Sequence, residues 1–265
     1  MIRLFSPLVL VVMLYGLLLP DLAGAAGTSD RAKEKRWAEQ IVDSLLDGEE
    51  LWMSDAGGEE FLGIMTEADD PTATAVILMH GIGVHPNWPD VIYPLRIGLY
   101  EAGISNLSIQ MPILPNEAEG IEYLPLFAEV PGRIDAAIDA LSDAGYQRIV
   151  LVAHSLGAAM TVYYLDQTGA DRVDSVALIG MSPGLEGKQV NIRRMASAKV
   201  PVFDLYGSED LEAVVATAPE RARVGAESIG VYRQQQVEGA NHFFQGHETA
   251  LVKAVLDWLS ETGGN

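Results

Sequence analysis

Ile149-Val150-Leu151-Val152-Ala153-His154-Ser155-Leu156-Gly157-Ala158-Ala159 is the stretch whose reading decides the fold. Ile149 to Val152 is an apolar run without a polar residue, the pattern of a parallel strand buried on both faces. Leu156 to Leu165 is rich in residues that suit a helix packed on a sheet. Between them, Ala153-His154-Ser155-Leu156-Gly157 has the form small-x-Ser-x-Gly. A serine on so sharp a strand-to-helix turn is forced outward, with the amide dipoles of the new helix behind it. The small flanking residues let strand and helix pass closely, and Ala153 replaces the usual first glycine at the cost of one methyl group. The same five residues also describe a plain strand–turn–helix whose serine caps the helix start. Partners elsewhere in the chain must separate a nucleophile from a cap.

The chain has 265 residues, 49% of them hydrophobic, enough for one α/β core covered on two sides. Arg3, an apolar run from Leu8 to Leu19, Pro20 and then Ala23-Gly24-Ala25-Ala26 read as a secretory signal peptide over residues 1–26. The apolar run is shorter than the roughly 20 residues that span a bilayer, so cleavage and export are expected rather than an anchor. There is no cysteine, which excludes a lipoprotein anchor, disulfides and thiol chemistry, and fits a periplasmic or extracellular address. The net charge of −20, from 37 acidic and 17 basic residues, repels nucleic acid and anionic lipid.

Along the chain, Ser29–Glu50 reads as a charged helix with Trp37, Ile41, Leu45 and Leu46 on one stripe. Edge-like strands follow near 50–53 and 60–66, split by Gly57-Gly58. Ala73–Met79, apolar and uninterrupted, reads as the first central strand; further strands are expected at Asn106–Met111, Val173–Ile179, Val200–Tyr206 and, last, Ser228–Val237. Helical periodicity covers about Pro89–Ala102, Pro131–Ala144 and Thr249–Leu259. The stretch from Pro112 to Pro131 is too long for an ordinary connection and is a candidate pocket wall. Alternating strand and helix argue a mostly parallel sheet with helices on both faces.

Ligands of such sheets sit outside the carboxyl ends of the strands. Those ends carry His80-Gly81, Ser155, Asp210 just past Gly207, and His242 past Val237. A serine hydroxyl needs a base within reach, and histidine works near neutral pH. His242, in Gly239-Ala240-Asn241-His242-Phe243-Phe244, follows the last strand, whereas His247 falls where the last helix begins. His154 is next to the serine and cannot easily turn back onto it, and His80 and His85 precede it and fit the oxyanion side better. An acid must hold the imidazole in one tautomer. Asp210 has the better offset from Gly207 than Glu209, and Asp204 lies inside a strand, although Asp210 would also serve as an N-cap before Leu211. The order Ser155, Asp210, His242 is the nucleophile–acid–histidine order of the α/β-hydrolase arrangement. Backbone N–H groups of Leu156 and Ile82 are the expected oxyanion donors. The His80/His85 and His242/His247 spacings do not suit a helix-borne metal pair, and Pro86 stands where a dinucleotide loop needs its third glycine. No metal or cofactor is expected.

Over residues 50–262 the chain resembles the α/β-hydrolase superfamily. Within it, H-G-I-G-V-H-P-N-W-P (80–89), Y-L-P-L-F (123–127) and A-H-S-L-G-A (153–158) look like an uncharacterised exported branch of unknown function. The resemblance implies a single hydrolase domain over 27–265, the catalytic set Ser155, Asp210 and His242, and the oxyanion amides of Ile82 and Leu156. The segment from Met181 to Ala198 is too short for a large cap domain. The expected activity is that of a serine hydrolase cleaving an ester through an acyl-enzyme, carboxylesterase-like; a thioester or amide is the less favoured bond. The competing class is a hydrolase-fold binding protein without turnover. Ile113, Leu114, Tyr123, Leu124, Leu126 and Phe127, with the Val84–Trp88 loop, are the candidate pocket residues, unless they merely pack. They predict uncharged acyl chains as substrates and poor turnover of anionic ones.

Overall fold

The computed structural model describes residues 28–55, 57–185 and 189–263. The expected signal peptide lies outside the described residues. In chain order the elements are α1 (Arg31–Ser44), β1 (Glu49–Ser54), β2 (Glu60–Thr66), β3 (Thr74–Met79), α2 (Ile92–Glu101), β4 (Ser105–Ile109), a 3-10 helix (Gly120–Glu129), α3 (Val130–Asp143), β5 (Arg148–His154) and α4 (Leu156–Thr168). β6 (Ser175–Ile179), α5 (Val190–Ala196), β7 (Val202–Glu209), α6 (Glu212–Ser228), β8 (Tyr232–Asn241) and α7 (Glu248–Glu261) complete it.

The eight strands form one sheet in the order β1-β2-β4-β3-β5-β6-β7-β8. β1–β2 and β2–β4 are antiparallel, and every later neighbour is parallel. All six residues of β3 are buried, as are all five of β6, because helices cover both faces. Successive side chains point to opposite faces. Ala75, Ile77, Met79, Leu151 and Leu178 therefore pack with α3 and α4, while Val76, Leu78, Val152 and Ile179 pack with α2 and α7. Each fully buried Val, Leu or Ile of this kind contributes roughly 1.5–3 kcal/mol. Trp258 of α7 stacks on Phe203 of β7, ring centroids 5.6 Å apart.

Several expectations change in detail. α1 stops at Ser44, so Leu46 leaves the predicted stripe and projects into solvent, while Trp37, Ala38 and Ile41 cover Leu62 and Ile64. The segment 112–131 is not an open loop: it contains the 3-10 helix, and Ile113, Tyr123, Leu126 and Phe127 are buried. α5 and the 17-residue α6 have no counterpart in the apolar pattern of the sequence, since both are short of continuous apolar faces. The last strand starts later than predicted and runs on through Gly239-Ala240-Asn241, which reads as a loop in sequence; it pairs there across a register shift at Gly207/Glu209.

Candidate active site

Ser155 stands at the point where β5 ends and α4 begins, with φ 56° and ψ −117°. That is a conformation L-residues avoid, and strain of this kind is kept only where surrounding structure holds it. Two contacts hold it. The Ser155 N–H donates to the Ile179 carbonyl at 2.8 Å. Gly157 presses α4 onto the end of β3 so closely that a Cβ would lie 2.6 Å from the His80 carbonyl oxygen. No other residue type fits there, which accounts for the last glycine of the motif.

His242 immediately follows β8. Its Nε2 lies 2.9 Å from Ser155 Oγ, and its Nδ1 lies 2.5 Å from Asp210 Oδ1. The residues at the ends of β5, β7 and β8 therefore meet across separations of 87 and 32 positions. The Asp210 side chain is wholly buried. Its Oδ1 also accepts the Leu211 N–H at 2.7 Å, a contact that does not cap α6, which has no side-chain cap bond. Leu211, not Asp210, is the N-cap residue of α6. An Asx turn sets the histidine loop: Asn241 Oδ1 accepts from the Phe243 N–H at 3.0 Å and the Gln245 N–H at 3.3 Å. Phe244, with φ 53°, anchors the loop in the core. His247 is the N-cap residue of α7.

Two buried histidines flank this centre: His154, given no role from sequence, and His80, expected on the oxyanion side. His154 Nε2 lies 2.9 Å from the His242 carbonyl oxygen and so carries the proton of that bond. Its ring centroid is 4.8 Å from that of His242. Burial pushes its pKa down to about 4, and the neighbouring His242 adds to the effect, so it is neutral at pH 7. His80 Nε2 accepts the Met111 N–H at 2.9 Å, which leaves Nδ1 as the donor to the Gly81 carbonyl at 2.8 Å. Burial lowers its pKa to about 3. Gly180, at φ 60°, is, with His154, a residue that pattern reading missed: a Cβ there would lie 3.0 Å from His242 Cε1. Sequence places His80 at a strand end and His154 in the serine motif, but the contacts of all three residues join distant strand ends and leave no local signal.

The residues expected to supply oxyanion amides border the elbow. Leu156 opens α4, so its N–H has no acceptor within the helix. The turn carrying Ile82 runs past Ser155, a Cβ on Gly81 lying 3.1 Å from Ser155 Cβ. Of the pocket residues expected from sequence, Ile113, Tyr123, Leu126 and Phe127 instead fill the core. Their replacement beside Ser155 is an apolar rim. Ile82 and Phe243 are about 40% exposed, the Phe243 ring edge-on to His242 with centroids 5.2 Å apart, while Ile82 and Leu185 both lie near Gly120. A separate cavity of about 590 Å³ between α1 and the β1–β2 hairpin shares no residue with this site.

The profile of a family described as "Protein of unknown function (DUF3530)" matches residues 20–123 and 124–261. No curated protein matches the sequence. Among solved structures, the Pyrococcus furiosus esterase Pf2001 superposes with a TM-score of 0.66 at 14% identity, covering 83% of this chain and 92% of that one. A dienelactone hydrolase from Anabaena variabilis gives 0.64 at 20% identity, covering 82% and 99%. An alpha-beta serine hydrolase homologue from Coxiella burnetii gives 0.60 at 15% identity, covering 79% and 98%. At these identities the likeness shows the fold, which is that of the α/β hydrolases.

Proposed function

The chain belongs to the DUF3530 family, and we propose that this member is an exported serine hydrolase of carboxylesterase type. The observation that carries the reading is the continuous contact from Asp210 through His242 to Ser155, at 2.5 and 2.9 Å, on a serine held at positive φ. In this reading Ser155 Oγ attacks the acyl carbonyl carbon while His242 Nε2 takes the hydroxyl proton. Asp210 keeps Nδ1 protonated and stabilises the imidazolium. The oxyanion receives the N–H groups of Ile82 and Leu156, each such donor being worth about 2.7–4 kcal/mol of barrier. The imidazolium returns its proton to the departing alcohol, leaving an acyl-serine. Water, deprotonated by the same imidazole, then releases the carboxylic acid.

The exposed apolar residues near Ser155 support a substrate class. Ile82 and Phe243 suit an uncharged acyl chain, and a chain with net charge −20 disfavours anionic substrates. The basic, apolar, small-residue start of the sequence supports export to the periplasm or medium.

The test is fluorophosphonate labelling of the folded protein, with the mass shift mapped by peptide, beside a p-nitrophenyl ester series. Label on Ser155, and turnover lost in Ser155→Ala, is the expected result. A folded protein that takes no label and hydrolyses no ester faster than Ser155→Ala refutes the enzyme reading in favour of a binding protein.

A further inference from the structure

A buried arginine far from Ser155 in sequence is connected to the expected oxyanion donor by an unbroken line of hydrogen bonds. Arg133 of α3 is fully buried. Its Nη2 is held by Glu34 of α1, at 2.9 Å to Oε1 and 3.1 Å to Oε2. Glu34 is fixed in turn by the Ser29 hydroxyl and by Arg31. This pairing makes burial of the guanidinium tolerable and aims its other nitrogen, since Arg133 Nη1 donates to the Gln110 carbonyl at 2.8 Å.

That carbonyl belongs to the Gln110–Met111 peptide, whose N–H donates to His80 Nε2 at 2.9 Å. His80 Nδ1–H donates at 2.8 Å to the Gly81 carbonyl, which belongs to the Gly81–Ile82 peptide. The N–H of that second peptide is the Ile82 donor. A trans peptide points its C=O and N–H in opposite directions. Fixing the Gly81 oxygen on His80 therefore fixes the direction of the Ile82 N–H. Every donor in the line points the same way, from the cation toward the oxyanion, so each bond polarises the next in the same sense. Gln110 Nε2 also lies 2.9 Å from His80 Nε2 and donates to the Met111 carbonyl, reinforcing the junction.

We propose that Arg133 is a positioning residue for the oxyanion hole, acting through the Gln110–Met111 peptide, His80 and the Gly81–Ile82 peptide, with Glu34 of the N-terminal helix holding it in place. The proposal rests on the serine-hydrolase reading above, because it needs an oxyanion for Ile82 to receive. The bland alternative is a buried ion pair that only ties α1 to α3. The two differ in what they do to catalysis when stability is conserved.

The experiment replaces the pair together, Arg133→Met with Glu34→Gln, because removing both charges of a buried pair avoids leaving either one unpaired. Thermal melting, kcat and KM on a p-nitrophenyl ester, and inhibition by a boronic acid that adds to serine as a tetrahedral anion are measured on the whole chain. Complete loss of an oxyanion donor costs about 10²–10³ in kcat. A donor left in place but unaimed is expected to cost about tenfold, with KM within about twofold and boronate affinity lowered by the same factor as kcat. Unchanged kcat and boronate affinity in the folded variant overturn the proposal. Should the double variant not fold, Arg133→Lys decides. It keeps the charge beside Glu34 but has no second fork nitrogen for the Gln110 carbonyl. A joint fall of kcat and boronate affinity supports the relay, and wild-type values overturn it. A wild-type protein with neither turnover nor fluorophosphonate label removes the hydrolase reading and the relay with it. An active wild type with unaltered variants removes the relay alone.

Discussion

Gly180→Ala separates the function of the histidine from its packing. Gly180 follows β6 directly with φ 60°, and a Cβ built there lies 3.0 Å from His242 Cε1, 3.1 Å from His242 Nδ1 and 3.3 Å from Asp210 Oδ2. A non-glycine residue at positive φ costs about 1–2 kcal/mol. For a chain of this size that lowers Tm by about 2–8 °C. The contacts add a directional effect, because distances near 3.0 Å are below ordinary van der Waals separation, so the imidazole must give by a few tenths of an ångström. It cannot do so freely, since Nδ1 is bonded to Asp210 and Nε2 to Ser155. A misplacement of about 1 Å costs on the order of 10²-fold, so a shift of a few tenths is expected to lower kcat about tenfold with little change in KM. Gly145→Ala is the control. It also has positive φ, 98°, but nothing lies within 4 Å of its Cβ, so it carries the backbone cost alone. The measurements are kcat, KM and thermal melting of both variants. Equal kcat in Gly180→Ala and Gly145→Ala, with Tm lowered in both, would refute the assignment of His242 as the working base.

Ser155→Gly should abolish turnover and raise Tm by about 2–4 °C, because glycine accepts φ 56° and relieves about 1 kcal/mol or more of backbone strain; a Tm at or below wild type contradicts the strained-elbow account. Asp204→Ala should cost about 3–5 kcal/mol in denaturant unfolding, since it leaves Arg221 unpaired where both side chains are fully buried and 2.7 Å apart, and removes the acceptor of Tyr232 and Gln234; a loss below about 1 kcal/mol would show that the pair is dispensable. His80, His85 and His154 all have pKa values lowered by burial, to about 3, 4 and 4. The unfolded chain therefore binds more protons than the folded one below about pH 6.5, and the stability present above that value is lost as pH falls toward 4. His85, edge-on to Trp37 and Trp88, is the accessible probe: His85→Gln should flatten the fall in unfolding free energy between pH 6.5 and 4.5, and identical slopes would refute its part in it.

The strands with apolar runs were legible because burial on both faces leaves no room for polar residues; Thr74–Met79 and Ser175–Ile179 show this plainly. β8 was only partly legible. Its half-buried Gln234 and Gln235, its exposed Gln236 and its bulged end at Gly239 carry no apolar run. The expected pocket wall was legible only in part: Gly120 lies against Ile82, and the Tyr123 hydroxyl against Gly83, but the apolar side chains counted on to line it do not face outward. Tyr123, Leu126 and Phe127 are as apolar as pocket residues, yet the 3-10 helix turns them into the core. Composition does not say which way a side chain faces.

By itself, the sequence determined the α/β alternation, the sharp turn at Ser155 and the chain order of serine, acid and histidine, since these depend on local sterics and on periodicity along the backbone. Tertiary structure alone decided that Asp210, His242 and Ser155 touch, that His154 takes up the His242 carbonyl, and that Arg133 reaches the Gly81–Ile82 peptide through His80. Those contacts join residues brought together by strand order and helix packing. A hydrogen bond responds to angstroms in space, and positions far apart along a chain carry no local trace of it.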